Sequence, residues 1–207
     1  LPGTPKTENI NGVAISRVWV PRLGSQYAFS FTSIPAIVSQ ARHHDLVHTA
    51  SYYSSLSAFI GARLARRSVV LTYYEVLGKH WRRVKSNPLV CRVAKAVEKL
   101  MASMSFDEYV AISQATRLDL LEEGLDAAEI KVIYPGVDEI FYQHDRGRTG
   151  DLREACSIGS DDFLYLYYGR PGLTKGVEYL VRAAPEIRRQ VPNAHLVLLL
   201  ADEPREN

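Results

Sequence analysis

Segments of strand length that are apolar throughout constrain the fold of this 207-residue chain more than any other feature. The clearest are SVVLT at residues 68–72 and LVLLL at residues 196–200, in which polar and apolar side chains do not alternate. Strands of this kind are buried on both faces, which is typical of a parallel sheet covered by helices. Segments with apolar side chains three and four residues apart lie between them and are typical of helices. The alternation predicts an α/β fold built on parallel sheets.

Periodicity and capping residues together predict seven strands and five helices. The predicted strands are residues 13–20, 45–49, 68–72, 108–112, 130–134, 162–168 and 195–200. The predicted helices are residues 33–42, 53–66, 88–104, 114–123 and 175–190. Pro88 and Ser113 mark two helix starts, because proline fits the first helical turn and a serine hydroxyl accepts a bond from a free backbone N–H.

One polar segment interrupts this alternation. Residues 144–151 (HDRGRTGD) contain two glycines and no periodicity, which predicts a linker. The chain is therefore expected to divide into a first domain at residues 1–143, a linker at 144–151 and the start of a second domain at 152–207. Both domains are expected to be incomplete, since one strand–helix–strand unit buries too little apolar surface to fold alone.

Composition excludes several classes of protein. With 46% hydrophobic and 23% charged residues the chain is an ordinary globular one, and disordered, collagen-like and coiled-coil chains are excluded. No apolar run approaches the roughly 20 residues that span a bilayer. The two cysteines, Cys91 and Cys156, lie far apart without CxxC spacing, which excludes a zinc knuckle and favours a cytoplasmic location.

Charge is unevenly distributed along the middle of the chain. Residues 79–99 contain seven Lys and Arg residues and a single acid, Glu98, whereas residues 101–130 contain seven acids and a single base, Arg117. A basic patch of this kind is typical of a surface that meets an anionic partner, such as a membrane, although a solvated helix face would give the same pattern.

A glycine-rich, basic turn joins the strand at residues 162–168 to the helix at 175–190. It reads GRPGLTKG over residues 169–176, and ligands of open parallel sheets bind at such turns. The glycines allow the backbone to approach a ligand, and the helix start provides free N–H groups. With the charges of Arg170 and Lys175 added, the turn predicts a phosphate site, best suited to a diphosphate. It is neither a Walker A loop nor a GxGxxG turn.

Five segments, in this order and spacing, resemble the motifs of retaining group-1 glycosyltransferases, which have two Rossmann-like domains in the GT-B architecture. They are DLVH at 45–48, VVLTYYE at 69–75, AISQAT at 111–116, VIYPGVD at 132–138 and GRPGLTKG at 169–176. The resemblance runs from about Gly12 to Arg205. It implies two Rossmann-like parallel-sheet domains and transfer of a sugar from a nucleotide-diphosphate donor, with retention and without a metal ion or other cofactor.

The resemblance also implies roles for individual residues. Gly169, Arg170 and Lys175 match the positions that hold the donor diphosphate and stabilise charge on the leaving group. Tyr74 and Glu75 match the catalytic segment, although Tyr74 stands where a histidine is frequent, and a tyrosine does not serve as a base near neutral pH.

The resemblance places the acceptor against the first domain, where His48 and Ser113 are the candidate acceptor-side residues. A glycan or a lipid is the expected acceptor. Since several such enzymes work at the inner face of a membrane, residues 79–99 are a candidate peripheral membrane surface.

Two family elements are not found between Leu1 and Asn207. These are the opening strand with its glycine-rich loop and the paired glutamates that hold the donor. The chain by itself is therefore expected to be inactive. The alternative interpretation is a non-catalytic phosphate- or membrane-binding fragment, or a pseudo-enzyme.

Other candidate sites are less well supported by the sequence. His43, His44, Asp45 and His48 form a small cluster whose spacing fits no standard metal signature, so no metal is expected. The parallel α/β pattern disfavours the hypothesis that Glu75 and Glu98 form a catalytic carboxylate pair of the glycosidase type.

Three tyrosines, Tyr165, Tyr167 and Tyr168, would suit base stacking. They fall on a strand expected to be buried, where core packing is favoured. No nucleic-acid partner is therefore expected.

Overall fold

A computed structural model describes residues 4–22, 24–84, 87–142, 151–170 and 175–201. These residues form two compact units, Leu1–Pro135 and Gly136–Asn207. Most of the predicted linker, residues 144–150, lies outside the described residues, so the linker stays a prediction.

The first unit opens with an antiparallel hairpin. Strands β1 (Thr7–Ile10) and β2 (Val13–Ser16) pair across Asn11 and Gly12, whose φ angles of 51° and 85° are both left-handed. This is the conformation of the two-residue turn that Asn-Gly favours. The predicted strand at 13–20 is therefore shorter than expected and lies outside the parallel sheet, because its partner is the polar segment before it.

Two short helices follow the hairpin. Helix α1 (Ser25–Thr32) was not predicted, whereas α2 (Ile34–Ala41) agrees with the predicted helix at 33–42. Helix α3 (Ser55–Ala65) packs closely on α2 at Gly61, where an added Cβ would lie 2.5 Å from Ile37 Cγ2. The missing side chain at Gly61 is thus what allows the two helices to approach.

Four parallel strands form the sheet of the first unit. These are β3 (Leu46–Ala50), β4 (Ser68–Tyr73), β5 (Glu108–Ala111) and β6 (Ile130–Val132), neighbours in that order. Right-handed crossovers between strands in sequential order place their connecting helices on one face of the sheet. The predicted α/β class with a parallel sheet is confirmed.

The connecting segments after β4 and β5 contain three helices, α4 (Trp81–Val84), α5 (Pro88–Ser103) and α6 (Gln114–Glu122). Asn87 Oδ1 caps α5 by accepting from Leu89 N at 2.9 Å, ahead of the predicted Pro88 start. Ser113 caps α6 as predicted, and Gly124, at φ 99°, follows its end.

The core of the first unit lies between the sheet and these helices. Val69, Leu71 and Tyr73 of β4 are buried there against Ala62 of α3 and Leu120 of α6. Alternate residues of β4 thus face the helix layer, as the pleat of a strand requires.

The second unit contains helix α7 (Asp151–Ala155) and a two-stranded parallel sheet. Strands β7 (Phe163–Gly169) and β8 (Ala194–Leu200) pair over their whole length and are joined by α8 (Val177–Gln190), close to the predicted elements. The expectation of a buried β7 is wrong, because no residue of this strand is buried and Phe163, Leu166 and Tyr168 are exposed. Among the described residues β7 pairs with β8 alone.

The close approach at Gly61 gives a test of the packing between α2 and α3. We expect Gly61→Ala to lower the free energy of unfolding by about 1–3 kcal/mol, the usual cost of overpacking, since Ile37 Cβ would also lie 2.9 Å from the new methyl group. Urea unfolding of both proteins measures this difference in the free energy of unfolding. Gly136→Ala is the control, because no atom lies within 4 Å of a Cβ there, and an equal effect in both variants would contradict the packing argument.

Candidate functional site

The carboxyl edge of the four-stranded sheet gathers most of the predicted site residues. Ala50 pairs with Thr72, and Ala111 pairs with both Tyr73 and Val132, so all four strands end at the same edge. Segments that follow parallel strands meet at such an edge, which is where open α/β sheets bind ligands.

Tyr74 and Glu75, the predicted catalytic residues, are the first two residues after β4. Both side chains are exposed, and the carbonyl oxygen of Glu75 accepts a bond from the Tyr52 hydroxyl at 3.3 Å. In the part of the chain that the structure describes, no hydrogen bond joins either side chain to His48 or Ser113. Tyr74, Glu75 and Ser113 therefore share the carboxyl edge of the sheet, whereas His48 lies in the middle of β3, and the four do not form one bonded constellation.

The predicted acceptor-side residues are both hydrogen-bonded within the fold. His48 lies on β3 and its Nε2 is 2.7 Å from Thr72 Oγ1 on β4. Ser113 Oγ accepts from Thr116 N at 3.1 Å and so begins α6 at the carboxyl end of β5. Ser113 thus fixes the position of the helix start at this edge.

Glu98 of α5 is the residue that organises this edge, and the sequence analysis did not predict it. Its carboxylate is 2% exposed and accepts four hydrogen bonds. The donors are Tyr52 Oη at 3.0 Å, Leu77 N at 2.8 Å, Gly78 N at 2.8 Å and Trp81 Nε1 at 2.8 Å. A buried carboxylate is tolerated only when it is hydrogen-bonded in this way. Glu98 therefore anchors the segment that follows β4, rather than forming a catalytic pair with Glu75.

A sequence signal for this role existed. Cys91, Ala94, Glu98 and Met101 are spaced by three and four residues, so they share one face of α5, and that face is the buried one. A lone acid on the apolar face of a basic helix needs donors from elsewhere in the fold.

Two of the four donors to Glu98, Tyr52 and Gly78, have further features that suit this anchoring. Burial and the nearby Glu98 carboxylate raise the pKa of Tyr52, so its phenol stays protonated and donates to that carboxylate. Gly78 has φ 44°, and a Cβ there would lie 2.5 Å from Glu123 Oε1. The segment after β4 is thus held at its backbone as well as by side chains.

The basic turn lies in the second unit, between β7 and α8. Gly169 ends β7 at φ 147°, and its carbonyl oxygen accepts from Ala201 N at 3.1 Å. The Arg170 carbonyl oxygen accepts from Tyr167 Oη at 3.2 Å, and Gly176, at φ 69°, begins α8. Residues 171–174 of the motif lie outside the described residues.

Positive charge is concentrated at this turn. The exposed side chains of Arg170 and Lys175 stand before the start of α8, whose backbone N–H groups carry the positive end of the helix dipole. Glu178 in the first turn of α8 offsets part of this charge. The turn therefore combines two basic side chains with a helix start, which is an arrangement able to bind a diphosphate.

The metal hypothesis concerned His43, His44, Asp45 and His48. Among the described residues, no three His, Cys, Asp or Glu side chains are grouped closely enough to hold a metal ion. His44 Nδ1 lies 2.8 Å from the Gln40 carbonyl oxygen, whereas His48 contacts Thr72.

No helix within the described ranges has both the length and the apolar character to cross a bilayer.

The chain is similar in sequence to known glycosyltransferases. Residues 1–140 match the family model described as Glycosyltransferase Family 4. The chain is 29% identical over 177 residues to the alpha-maltose-1-phosphate synthase of Mycobacterium tuberculosis, covering 83% of this chain and 45% of that protein. It is 25% identical over 152 residues to the D-inositol 3-phosphate glycosyltransferase of Kineococcus radiotolerans, covering 73% of this chain and 35% of that protein. The chain thus spans less than half the length of these relatives.

Solved structures show the same fold. Sucrose-phosphate synthase from Thermosynechococcus elongatus superposes with a TM-score of 0.70 at 21% identity, covering all of this chain and 51% of that one. Anabaena HepE in complex with UDP and glucose superposes with a TM-score of 0.64 at 22% identity, covering 80% of this chain and 42% of that one. The chain therefore has the Rossmann-like architecture of GT-B glycosyltransferases, as the sequence motifs predict.

The four bonds to Glu98 predict the effect of changing that residue. We expect Glu98→Gln to lower the free energy of unfolding by about 1–3 kcal/mol, because an amide NH₂ would face donors and leave at least one buried N–H unpaired. Urea unfolding followed by Trp fluorescence measures it. Glu122→Gln serves as the control, since the ion pair between Glu122 and Lys79 is exposed. Equal stability of Glu98→Gln and the natural chain would contradict the anchoring role.

Proposed function

Because the chain belongs to Glycosyltransferase Family 4, we propose that it contributes to the transfer of a sugar from a nucleotide-diphosphate donor to an acceptor. The observation that carries this proposal is the basic turn between β7 and α8, where Arg170 and Lys175 precede the start of α8 along the chain. Two relatives are named alpha-maltose-1-phosphate synthase and D-inositol 3-phosphate glycosyltransferase, and the similar HepE structure contains UDP and glucose. These names support a nucleotide-sugar donor for this chain.

The chemistry follows from the charges at the turn. In the proposed reaction, Arg170 and Lys175 bind the donor diphosphate and stabilise the negative charge that develops as its bond to the sugar breaks. Fixed positive charge at the leaving group is frequently the largest catalytic contribution. The two cations supply charge that a divalent metal ion would otherwise supply, which supports a metal-independent reaction. Retention at the anomeric carbon is proposed on the resemblance of the motifs.

The first unit contributes the acceptor side in this proposal. Tyr74 and Glu75 follow β4 at the carboxyl edge, and Glu98 holds the segment that bears them. Tyr74 can donate a hydrogen bond to a substrate hydroxyl but is too weak an acid to act as a base at neutral pH. His48 and Ser113 lie at or near the same edge, where they support the acceptor-binding surface.

Nucleotide binding tests the donor site. We expect UDP or GDP to raise the melting temperature of the protein, because a ligand at 100 times its Kd stabilises the folded state by about 2.7 kcal/mol. Arg170→Ala and Lys175→Ala should each reduce the shift. Arg188→Ala, a change of one exposed arginine near the other end of α8, is the matched control. A shift that persists unchanged in Arg170→Ala and Lys175→Ala would refute the donor site. Transfer assays on this chain alone test the expectation that it is inactive.

A second candidate role is supported by the surface of α5. Leu89, Val93, Val97 and Leu100 are exposed along one side of this helix. Their spacing of three and four residues makes them one continuous stripe. The exposed bases Arg92, Lys95 and Lys99 lie on another side of the same helix. Basic amphipathic helices bind anionic lipid surfaces, which supports a cytoplasmic, peripheral location at the inner face of a membrane.

Vesicle cosedimentation tests this second role. We expect the protein to bind vesicles that contain phosphatidylglycerol and not vesicles of pure phosphatidylcholine. Val93→Asn and Lys99→Glu should each abolish this binding. Leu118→Asn, which changes an exposed apolar residue of α6, is the control. Binding that survives both α5 changes, or that ignores lipid charge, rules out this surface.

A further inference from the structure

Exposed aromatic rings line the carboxyl edge of the four-stranded sheet beside β3. Tyr53 follows β3 and is 43% exposed, whereas Tyr27 and Phe31 of α1 are 66% and 63% exposed. Tyr27 and Phe31 are four residues apart and so share one side of α1. The Tyr27 and Tyr53 rings lie perpendicular, with their centroids 5.4 Å apart. Tyr27 of the helix and Tyr53 after the strand thus form an edge-to-face pair, and Phe31 lies on the same side of α1 as Tyr27.

The backbone under these rings is held by hydrogen bonds. Ser30 Oγ donates to the Tyr53 carbonyl oxygen at 2.6 Å, which ties α1 to the segment after β3. Ser55 Oγ donates to the Tyr52 carbonyl oxygen at 2.6 Å, and Thr49 Oγ1 donates to Ser54 Oγ at 3.0 Å. Tyr52 itself is bonded to Glu98. The surface is therefore preorganised, which lowers the entropy lost when a ligand binds.

Aromatic rings with hydroxyl groups suit a saccharide better than an acyl chain. The C–H face of a sugar ring is apolar and packs on an aromatic face, whereas its hydroxyl groups need polar partners around the rim. Tyrosine provides an apolar body and a polar end in one side chain. Tyr74, exposed after β4, adds a further phenol at the same edge.

We propose that Tyr27, Phe31 and Tyr53 form the acceptor platform of this protein and that the acceptor is a saccharide that stacks on these rings. The inference rests on the proposed transferase function, because the platform continues the edge at which Tyr74 and Glu75 lie. Membrane binding through α5 involves other residues and is independent of it.

Ligand-observed NMR tests the platform directly. Saturation of the aromatic protons of the protein should transfer to the ring protons of maltose, the probe used. We expect Tyr27→Ala and Tyr53→Ala each to weaken maltose binding about tenfold, which corresponds to about 1.4 kcal/mol. Tyr27→Phe and Tyr53→Phe keep the rings and should bind within about threefold of the natural protein, a difference of under 1 kcal/mol.

Phe163→Ala is the matched control. Phe163 is 53% exposed and its ring is paired with Tyr165, but it lies at the amino end of β7 in the second unit. Unchanged maltose binding in both Ala variants, or equal loss in Phe163→Ala, would overturn the platform. Absence of maltose binding, together with binding of phosphatidylcholine vesicles that the Ala variants abolish, would also overturn it in favour of a lipid acceptor.

The platform and the transferase function fail in different ways. If nucleotide-induced stabilisation persists while the tyrosine variants leave maltose binding unchanged, the platform is wrong and the donor site stands. If maltose binding depends on the rings but neither UDP nor GDP stabilises the protein, the proposed transfer is wrong and the saccharide platform stands.

Discussion

A single buried carboxylate controls the carboxyl edge of the first unit. Glu98 lies on the apolar side of α5, where an unpaired charge would cost far more than a surface helix can compensate. Its four donors come from the segment after β3, the segment after β4 and the side chain of Trp81. Satisfying that one acid therefore fixes two of the segments on which the candidate site is built.

The order of the strands then decides which residues meet. Because β3, β4, β5 and β6 are parallel and neighbours in sequence order, every connection leaves from the same edge of the sheet. The strand order thus brings residues as far apart along the chain as Tyr53, Glu75 and Ser113 to the same edge, where hydrogen bonds such as that from Ser30 Oγ to the Tyr53 carbonyl oxygen hold them. The second unit has the same arrangement, since its basic turn also follows the carboxyl end of a parallel strand.

The sequence predicted the elements whose signals are local. Apolar runs located the strands, and Pro88 and Ser113 located two helix starts to within a residue. The hairpin was missed although Asn11-Gly12 is a strong turn signal, because the residues before it are polar. Helix α1 was missed because it leaves aromatic residues exposed instead of burying an apolar stripe. The period of α5 places Glu98 on the buried face of the helix, but its donors lie 17 to 46 residues away, and periodicity does not identify them.

The anchoring by Glu98 also bears on how the unit assembles as it is synthesised. Gly78 leaves the ribosome 20 residues ahead of the carboxylate that holds it, and Tyr52 leaves 46 residues ahead. The two segments thus emerge without their acceptor and stay unlocked until the later turns of α5 form. Domains generally fold as units during synthesis, and the segments after β3 and β4 are held only once α5 is complete. A ribosome that stalls after β4 has emerged but before Glu98 does would expose β3 and β4 with the segments after them still unanchored.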